Sequence, residues 1–306
     1  MDYSLLKKLQ AIHAPSGEEV NLKVFLVDYV RQHQSEWVSQ PELICGDEFQ
    51  DCLILKFGKP RTAIFAHMDS IGYTVRYGNQ LVKLGGPSAP SGTVLVGADS
   101  NGPIEAQLEI CSKDKKITYK CDRIIEPGTN LTYKPNWRET NEYIQNCYMD
   151  NRLGVWNALK VAETLSDGLI VFSCWEETGG GSVGYLAKYI YEHFGVRQAL
   201  ISDITWVTEG VLHGNGVAIS MRDSGIPRKS YVKKVVDIAK KHQINYQLEV
   251  EDAGGSDGNA LQRSPYPFDW CFVGAPEDGV HTPDEKVHKE DVISMIKLYE
   301  VLMREL

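Results

Sequence analysis

No stretch of this 306-residue chain approaches the roughly 18 consecutive apolar residues of a membrane span. The first residues, Met-Asp-Tyr-Ser-Leu-Leu-Lys-Lys, carry no long apolar segment of the signal-peptide kind, so a cytoplasmic protein without a membrane partner is expected. Basic charge is scarce as well. The 32 Lys and Arg face 41 Asp and Glu, a net charge of -9, which leaves no broad basic surface for nucleic acid or anionic lipid. A small or peptidic substrate fits that balance better. The seven cysteines are scattered, odd in number and contain no Cys-x-x-Cys pair, which argues against both a thiolate zinc site and a disulfide framework. Several, such as Cys52 and Cys271, sit inside apolar runs, where reduced cysteine behaves as a small buried hydrophobe. Internal repeats, low-complexity tracts and long linkers are absent too.

What is present is the balance of a globular protein, 42% hydrophobic and 24% charged, with length for one large domain carrying a smaller insertion. Hydrophobic spacing predicts a helix over 17–33 and a buried strand over 63–66. From Tyr73 to Cys147 the texture changes to short alternating pieces broken by Gly, Pro and Asn, which reads as an inserted β lobe. Helices are expected over 152–165, 183–192, 230–242 and 289–306. Strands are expected over 169–175, 199–202, 217–221, 247–250 and 270–273, with a glycine-rich turn at 254–258. This alternation predicts an α/β fold: a mixed, largely parallel sheet with helices on both faces, built from 1–72 and 148–306 and interrupted by a small β lobe at 73–147. In such sheets ligands gather beyond the carboxyl ends of the strands.

Polar residues fall where that rim would be. Ile64-Phe-Ala leads into His67-Met-Asp69, Ile170–Trp175 into Glu176-Glu177, and Ala199-Leu-Ile-Ser into Asp203. Phe272-Val-Gly is followed after a short loop by His281, and Asp150 opens the helix that follows the lobe. Taken singly, each has a bland reading: a satisfied core histidine, a solvated glutamate pair, a turn aspartate, a helix N-cap. Together they supply what a pair of hydrolytic metal ions needs. One carboxylate bridges, each ion finds further ligands, and a spare carboxylate accepts a proton from water. Histidine and carboxylates without cysteine suit zinc, cobalt or manganese. Asp69, two residues beyond His67 on an extended segment, shares its face and is placed to orient the imidazole.

The ordered series His67-Met-Asp-Ser-Ile-Gly, Asp150-Asn-Arg-Leu-Gly, Glu176-Glu-Thr-Gly-Gly-Gly-Ser, Ser202-Asp203, Gly254-Gly-Ser-Asp-Gly and His281-Thr-Pro resembles the co-catalytic zinc aminopeptidases. Within them it is most similar to the tetrahedral aminopeptidase family of glutamyl and deblocking aminopeptidases. The resemblance runs from Ala14-Pro-Ser-Gly-Glu-Glu to the segment after His281 and covers most of the chain outside the lobe. It implies two divalent metal ions, zinc first and cobalt or manganese as alternatives. Asp150 would bridge them, His67 and Asp203 would complete one site, and Glu177 and His281 the other. Glu176 would be the general base, with Asp69 orienting His67. An α/β catalytic domain interrupted by a β domain, peptide substrates and a homo-oligomer are implied as well. The lobe reads as short for the family, which points to an assembly smaller than a dodecamer. Gly179-Gly-Gly-Ser replaces the usual bulkier residues after the glutamate pair, so the neighbouring pocket should differ.

The expected reaction is removal of amino acids from the peptide N-terminus by water activated between two metal ions, with Glu176 relaying its proton to the leaving amine. Asp257 is a candidate for holding the substrate's α-amine, with a turn-forming role equally common for such a residue. His193, His213, His242 and His288 read as surface residues. Arg222–Arg228 reads either as cleft lining or as a strand-to-helix turn. A dinuclear carboxypeptidase or amide deacylase would use the same ligands, and a catalytically silent binding relative would keep the fold.

Overall fold

The computed structural model describes all 306 residues. Leu53–Phe57, Ala63–His67, Gly168–Ser173, Gln198–Trp206 and Asp269–Asp278 are strands buried along almost their whole length. Continuous apolar runs of this kind belong in a sheet covered on both faces. Across the sheet the order is Glu42–Ile44, Leu53–Phe57, Gly168–Ser173, Ala63–His67, Gln198–Trp206, Asp269–Asp278, Glu285–His288, Tyr143–Asn146 and Arg138–Glu139. The four middle strands, Gly168–Ser173 through Asp269–Asp278, run parallel, and the flanking pairs are antiparallel. Val217–Arg222 and Tyr246–Val250 branch from Asp269–Asp278. Helices pack against this sheet, giving the mixed α/β fold expected, with the parallel pairing concentrated in its centre.

Register decides what meets at the rim. Ala63–His67 pairs with Gln198–Trp206 so that Phe65 faces Ile201. Two residues further along each strand, and therefore on the same face, stand His67 and Asp203. Above them the helix Met149–Ala162 approaches closely at Gly154, where a Cβ would lie 2.1 Å from the Ser202 carbonyl oxygen. Asn151 Nδ2 donates to that carbonyl at 2.9 Å, and Asn157 Nδ2 donates to Ser202 Oγ at 2.9 Å. This docking fixes the start of the helix, and hence Asp150, over the strand that carries Asp203.

The second, smaller sheet is antiparallel, in the order Leu81–Leu84, Gly72–Val75, Asn130–Tyr133, Val94–Asp99, Gly102–Ile110 and Ile117–Lys120. Its 14 core residues form a cluster separate from the 68 of the main core, so it buries its own apolar face. A bridge between Gln80 and Thr118 draws the two edge strands together, which leaves little free edge for pairing with another chain. Arg138–Glu139 and Tyr143–Asn146, within the segment expected to belong to the lobe, pair instead into the large sheet through Glu285–His288.

Several elements differ from the sequence expectation. Asp203 lies inside a nine-residue strand rather than at its end, because the pairing with Asp269–Asp278 continues to Trp206. Asp257 opens a helix, Asp257–Arg263, capped reciprocally by Ser256 and Asn259, where a turn was expected. The helix expected from 17 starts at Val20. No helix is long and apolar enough to cross a membrane, and all seven cysteines are free.

Candidate metal centre

His67 closes its strand at the rim, fully buried, with Nε2 3.0 Å from Asp150 Oδ1 and 3.6 Å from Asp203 Oδ2. His281 reaches in from the loop after Asp269–Asp278, its Nε2 3.3 Å from Asp150 Oδ2 and 3.2 Å from Glu177 Oε2. The two oxygens of Asp150 thus face different histidines. Two ligand groups result, His67 with Asp150 and Asp203, and Asp150 with Glu177 and His281, each with its donor atoms within 4.8 Å of one another. Glu176, beside Glu177 in a single helical turn, places Oε2 3.9 Å from His67 Nε2 and lines the same cavity.

Backbone conformation aims these side chains. Tyr148 and Trp175, each two residues before a candidate ligand, and His281 itself all adopt the left-handed region, and the Asp150–Asn151 peptide is cis. Asp69, wholly buried, sets Oδ1 3.3 Å from His67 Nδ1. It also accepts from Ser16 Oγ at 2.6 Å and from the backbone N–H groups of Glu176 and Glu177 at 3.0 and 3.2 Å. One carboxylate therefore couples the histidine to the turn that carries the glutamate pair. The lobe contributes too: Ser88 N–H and Tyr133 Oη both donate to the His281 carbonyl, at 2.9 and 3.2 Å.

The electrostatics are those of a cation site. Burial and the neighbouring Asp150 push Glu177 up to about 7. Burial, with Asp150 close by, raises Asp203 well above the usual carboxylate range despite His67. Glu176 is raised the same way by burial, Asp203 and Glu177. Burial opposes ionisation of Asp150 as well, but the two flanking histidines outweigh it and hold Asp150 low. Burial disfavours the charged form of His281, yet Asp150 and Glu177 lift it to about 11. Four carboxylates share this pocket with two imidazoles, and buried Glu177 Oε1 has no hydrogen-bond partner. Positive charge must come either from both histidines or from bound cations. The donor set, nitrogen and carboxylate oxygen without sulfur, fits a pair of divalent ions of the zinc, cobalt or manganese kind.

Comparison with known proteins gives this arrangement a family. The profile of the family described as M42 glutamyl aminopeptidase matches residues 105–298. The chain belongs to that family. Its fold is similar to that of an aminopeptidase of the archaeon Desulfurococcus kamchatkensis, at 20% identity and TM-score 0.85, covering 99% of this chain and 94% of that one. It is also similar to the TET1 peptidase of Pyrococcus horikoshii, at 22% identity and TM-score 0.82, with 98% of each chain covered. A TET aminopeptidase from a Thaumarchaeota archaeon gives 15% identity and TM-score 0.86, with 99% and 96% covered. The resemblance to the tetrahedral aminopeptidases is thus borne out. The Pyrococcus protein can assemble into a tetrahedron or a large octahedral shell.

Other residues of this M42 chain fall differently from expectation. Asp257 does not line the cavity. It is buried behind the wall, accepts from Ser173 Oγ, and is pushed up to about 6 by burial. His213 is largely covered rather than on the surface, with Nε2 3.1 Å from Asp278 Oδ2. His288 caps the last helix by accepting from Glu290 N–H. Two residues of the site passed unnoticed in the sequence. Glu285, buried, accepts from Met149 N–H at 2.6 Å, Asp150 N–H at 3.3 Å and His281 N–H at 2.9 Å, so it clamps two candidate ligands at once. Arg152, also buried, donates to the carbonyls of Leu9, Ala14, Met68 and Asp69 and so ties the segment around Asp69 to the helix that carries Asp150. The His281-Thr-Pro-Asp-Glu spacing is the one signal that could have flagged Glu285.

Proposed function

We propose that this chain is a metal-dependent aminopeptidase that removes residues from the N-terminus of peptides, using two divalent ions, zinc first among them. The observation that carries the reading is Asp150, whose two oxygens face two separate ligand groups while Glu176 stands beside them on the wall of one cavity. Family membership supports the activity.

In this reading His67 and Asp203 hold one ion, Glu177 and His281 the other, and Asp150 both. When bound, the ions would make a water between them acidic near neutral pH and polarise the scissile carbonyl. The remaining work falls to the chain's own side chains. Glu176 accepts the proton of the attacking water at its carboxylate and passes it to the nitrogen of the departing amine. Burial and the neighbouring carboxylates raise its affinity for a proton, so that once ionised it takes the water's proton readily and holds it between the two steps. Asp69 keeps the His67 ring in place and the glutamate turn in register with it. We place the homo-oligomeric enzyme in the cytoplasm, where its seven free thiols would stay reduced.

Substitution Glu176→Gln tests the assignment. Turnover should fall by about 10²–10⁴ while the metal content measured by plasma emission stays at the wild-type value. Activity retained in that variant would remove Glu176 from its role.

A further inference from the structure

Beyond the candidate ligands, the cavity continues along Gln198–Trp206 to a wall that the reaction does not use. The cavity holds about 490 Å³ and is lined there by Asp223, Glu249 and Glu251, together with Thr205, Trp206 and Phe272. Glu249 is 4% exposed and Asp223 7%. Glu249 lines the cavity, accepts from Thr205 Oγ1 through one oxygen, and otherwise has only the Ser220 hydroxyl beside it. Asp223 accepts from Gly225 N–H through Oδ1 alone. None of the three carboxylates has a cationic side chain within 4 Å. Arg222, whose charge reaches Asp223, turns its Nε to the carbonyls of Asp223 and Glu251. Ionising buried carboxylates without a cation is costly, and here Asp223 and Glu249 line a space that a cation can enter.

We infer that this wall receives the basic side chain of the peptide's N-terminal residue, so that the enzyme prefers lysine or arginine there; the inference rests on the aminopeptidase reading. Geometry favours a side chain over the α-amine as the cation. Thr205, which positions Glu249, lies two residues beyond Asp203 on an extended strand, about 7 Å further from the metal centre at roughly 3.3 Å per residue. An extended lysine or arginine side chain spans a comparable distance. Phe272 and the partly exposed Trp206 offer apolar surface to its methylene stem and an aromatic face to its head. A third metal ion fits less well, because these carboxylates do not bring ligand atoms within 4.8 Å of one another as the metal-centre groups do. A glutamyl side chain would meet like charge on three sides.

The test has two arms. In the first, metal-loaded protein cleaves a peptide series differing only in the first residue, Lys, Arg, Leu or Glu. The kcat/KM for Lys and Arg should exceed that for Leu and Glu at least tenfold, and Glu249→Gln combined with Glu251→Gln should bring the lysine-to-leucine ratio close to one. In the second, calorimetry measures lysinamide and norleucinamide, which differ by the terminal amine. Lysinamide should bind at least tenfold tighter, with the advantage lost in the double variant. Leucyl or glutamyl peptides cleaved as well as lysyl ones, with norleucinamide bound as tightly as lysinamide, would overturn the inference and leave the aminopeptidase reading standing. Lysinamide binding without cleavage of any peptide would overturn the aminopeptidase reading and leave the cation-binding wall standing. Neither binding nor cleavage would overturn both.

Discussion

Glu285→Gln puts the architecture of the metal centre to a sharp test, because the variant keeps every candidate ligand. The Glu285 carboxylate accepts three backbone N–H groups, from Met149 and Asp150 at Oε2 and from His281 at Oε1. Glutamine has the same shape but offers one accepting oxygen and one donating NH2, so at least one buried N–H must face another donor. A typical hydrogen bond contributes about 0.5–1.5 kcal/mol, and a buried donor left unpaired costs about 1–3 kcal/mol. We therefore expect a loss of stability of about 2–3 kcal/mol, seen as a Tm lower by several degrees. Because the orphaned groups belong to residues that aim Asp150 and His281, metal affinity should also fall, by about 10–100-fold as for other changes just behind a ligand set. Calorimetric zinc titration beside thermal melts would measure both. Wild-type affinity and Tm in the variant would refute the claim that Glu285 holds Asp150 and His281 in place.

Two further predictions concern stability. Burial, with Asp223 and Glu251 near it, pushes Glu249 from 4.5 up to about 7. The folded state therefore holds a proton that the unfolded chain releases earlier. The resulting contribution is fully present below about 4.5 and is lost as pH rises through about 7, roughly 3 kcal/mol at ~1.4 kcal/mol per pH unit. Glu249→Gln, uncharged throughout, should then raise Tm at pH 8 and leave it nearly unchanged at pH 4; an equal or lower Tm at pH 8 would contradict this. Gly154→Ala sets a methyl 2.1 Å from the Ser202 carbonyl oxygen and 2.2 Å from Asn151 Oδ1. Overpacking of that kind costs about 1–3 kcal/mol, and urea unfolding should show it as a lower midpoint.

The candidate ligands were legible because each sits at a change of texture, where an apolar run gives way to His, Asp or Glu. His67, Glu176–Glu177 and His281 follow strands that the parallel sheet brings to one rim, and Asp150 precedes a helix whose apolar spacing was plain. Their convergence depended on register, and register is invisible in a single sequence: Asp203 reaches His67 from within its strand because Ile201 faces Phe65. Glu285 hid for a different reason. In a Pro-Asp-Glu-Lys stretch it reads as solvated, and only the fold around it reveals three backbone donors. Glu249 was equally silent, on an edge strand, whereas Asp223 belongs to the Arg222–Arg228 stretch, for which cleft lining was one of the two readings and which does reach the cavity there. Short flanking strands such as Glu42–Ile44 and Arg138–Glu139 carry too few residues for alternation to show, and their existence follows from the neighbours they complete.

The central claim is a metal-dependent cut at the free N-terminus, and one experiment addresses it directly. Purified protein loaded with zinc or cobalt, beside a chelated sample, is incubated with peptides whose N-termini are free or acetylated, and released amino acids are followed by mass spectrometry. The account predicts stepwise release from free N-termini alone, abolished by chelation and restored by metal. Release from the carboxyl end, removal of the acetyl group, or turnover indifferent to chelation would contradict it.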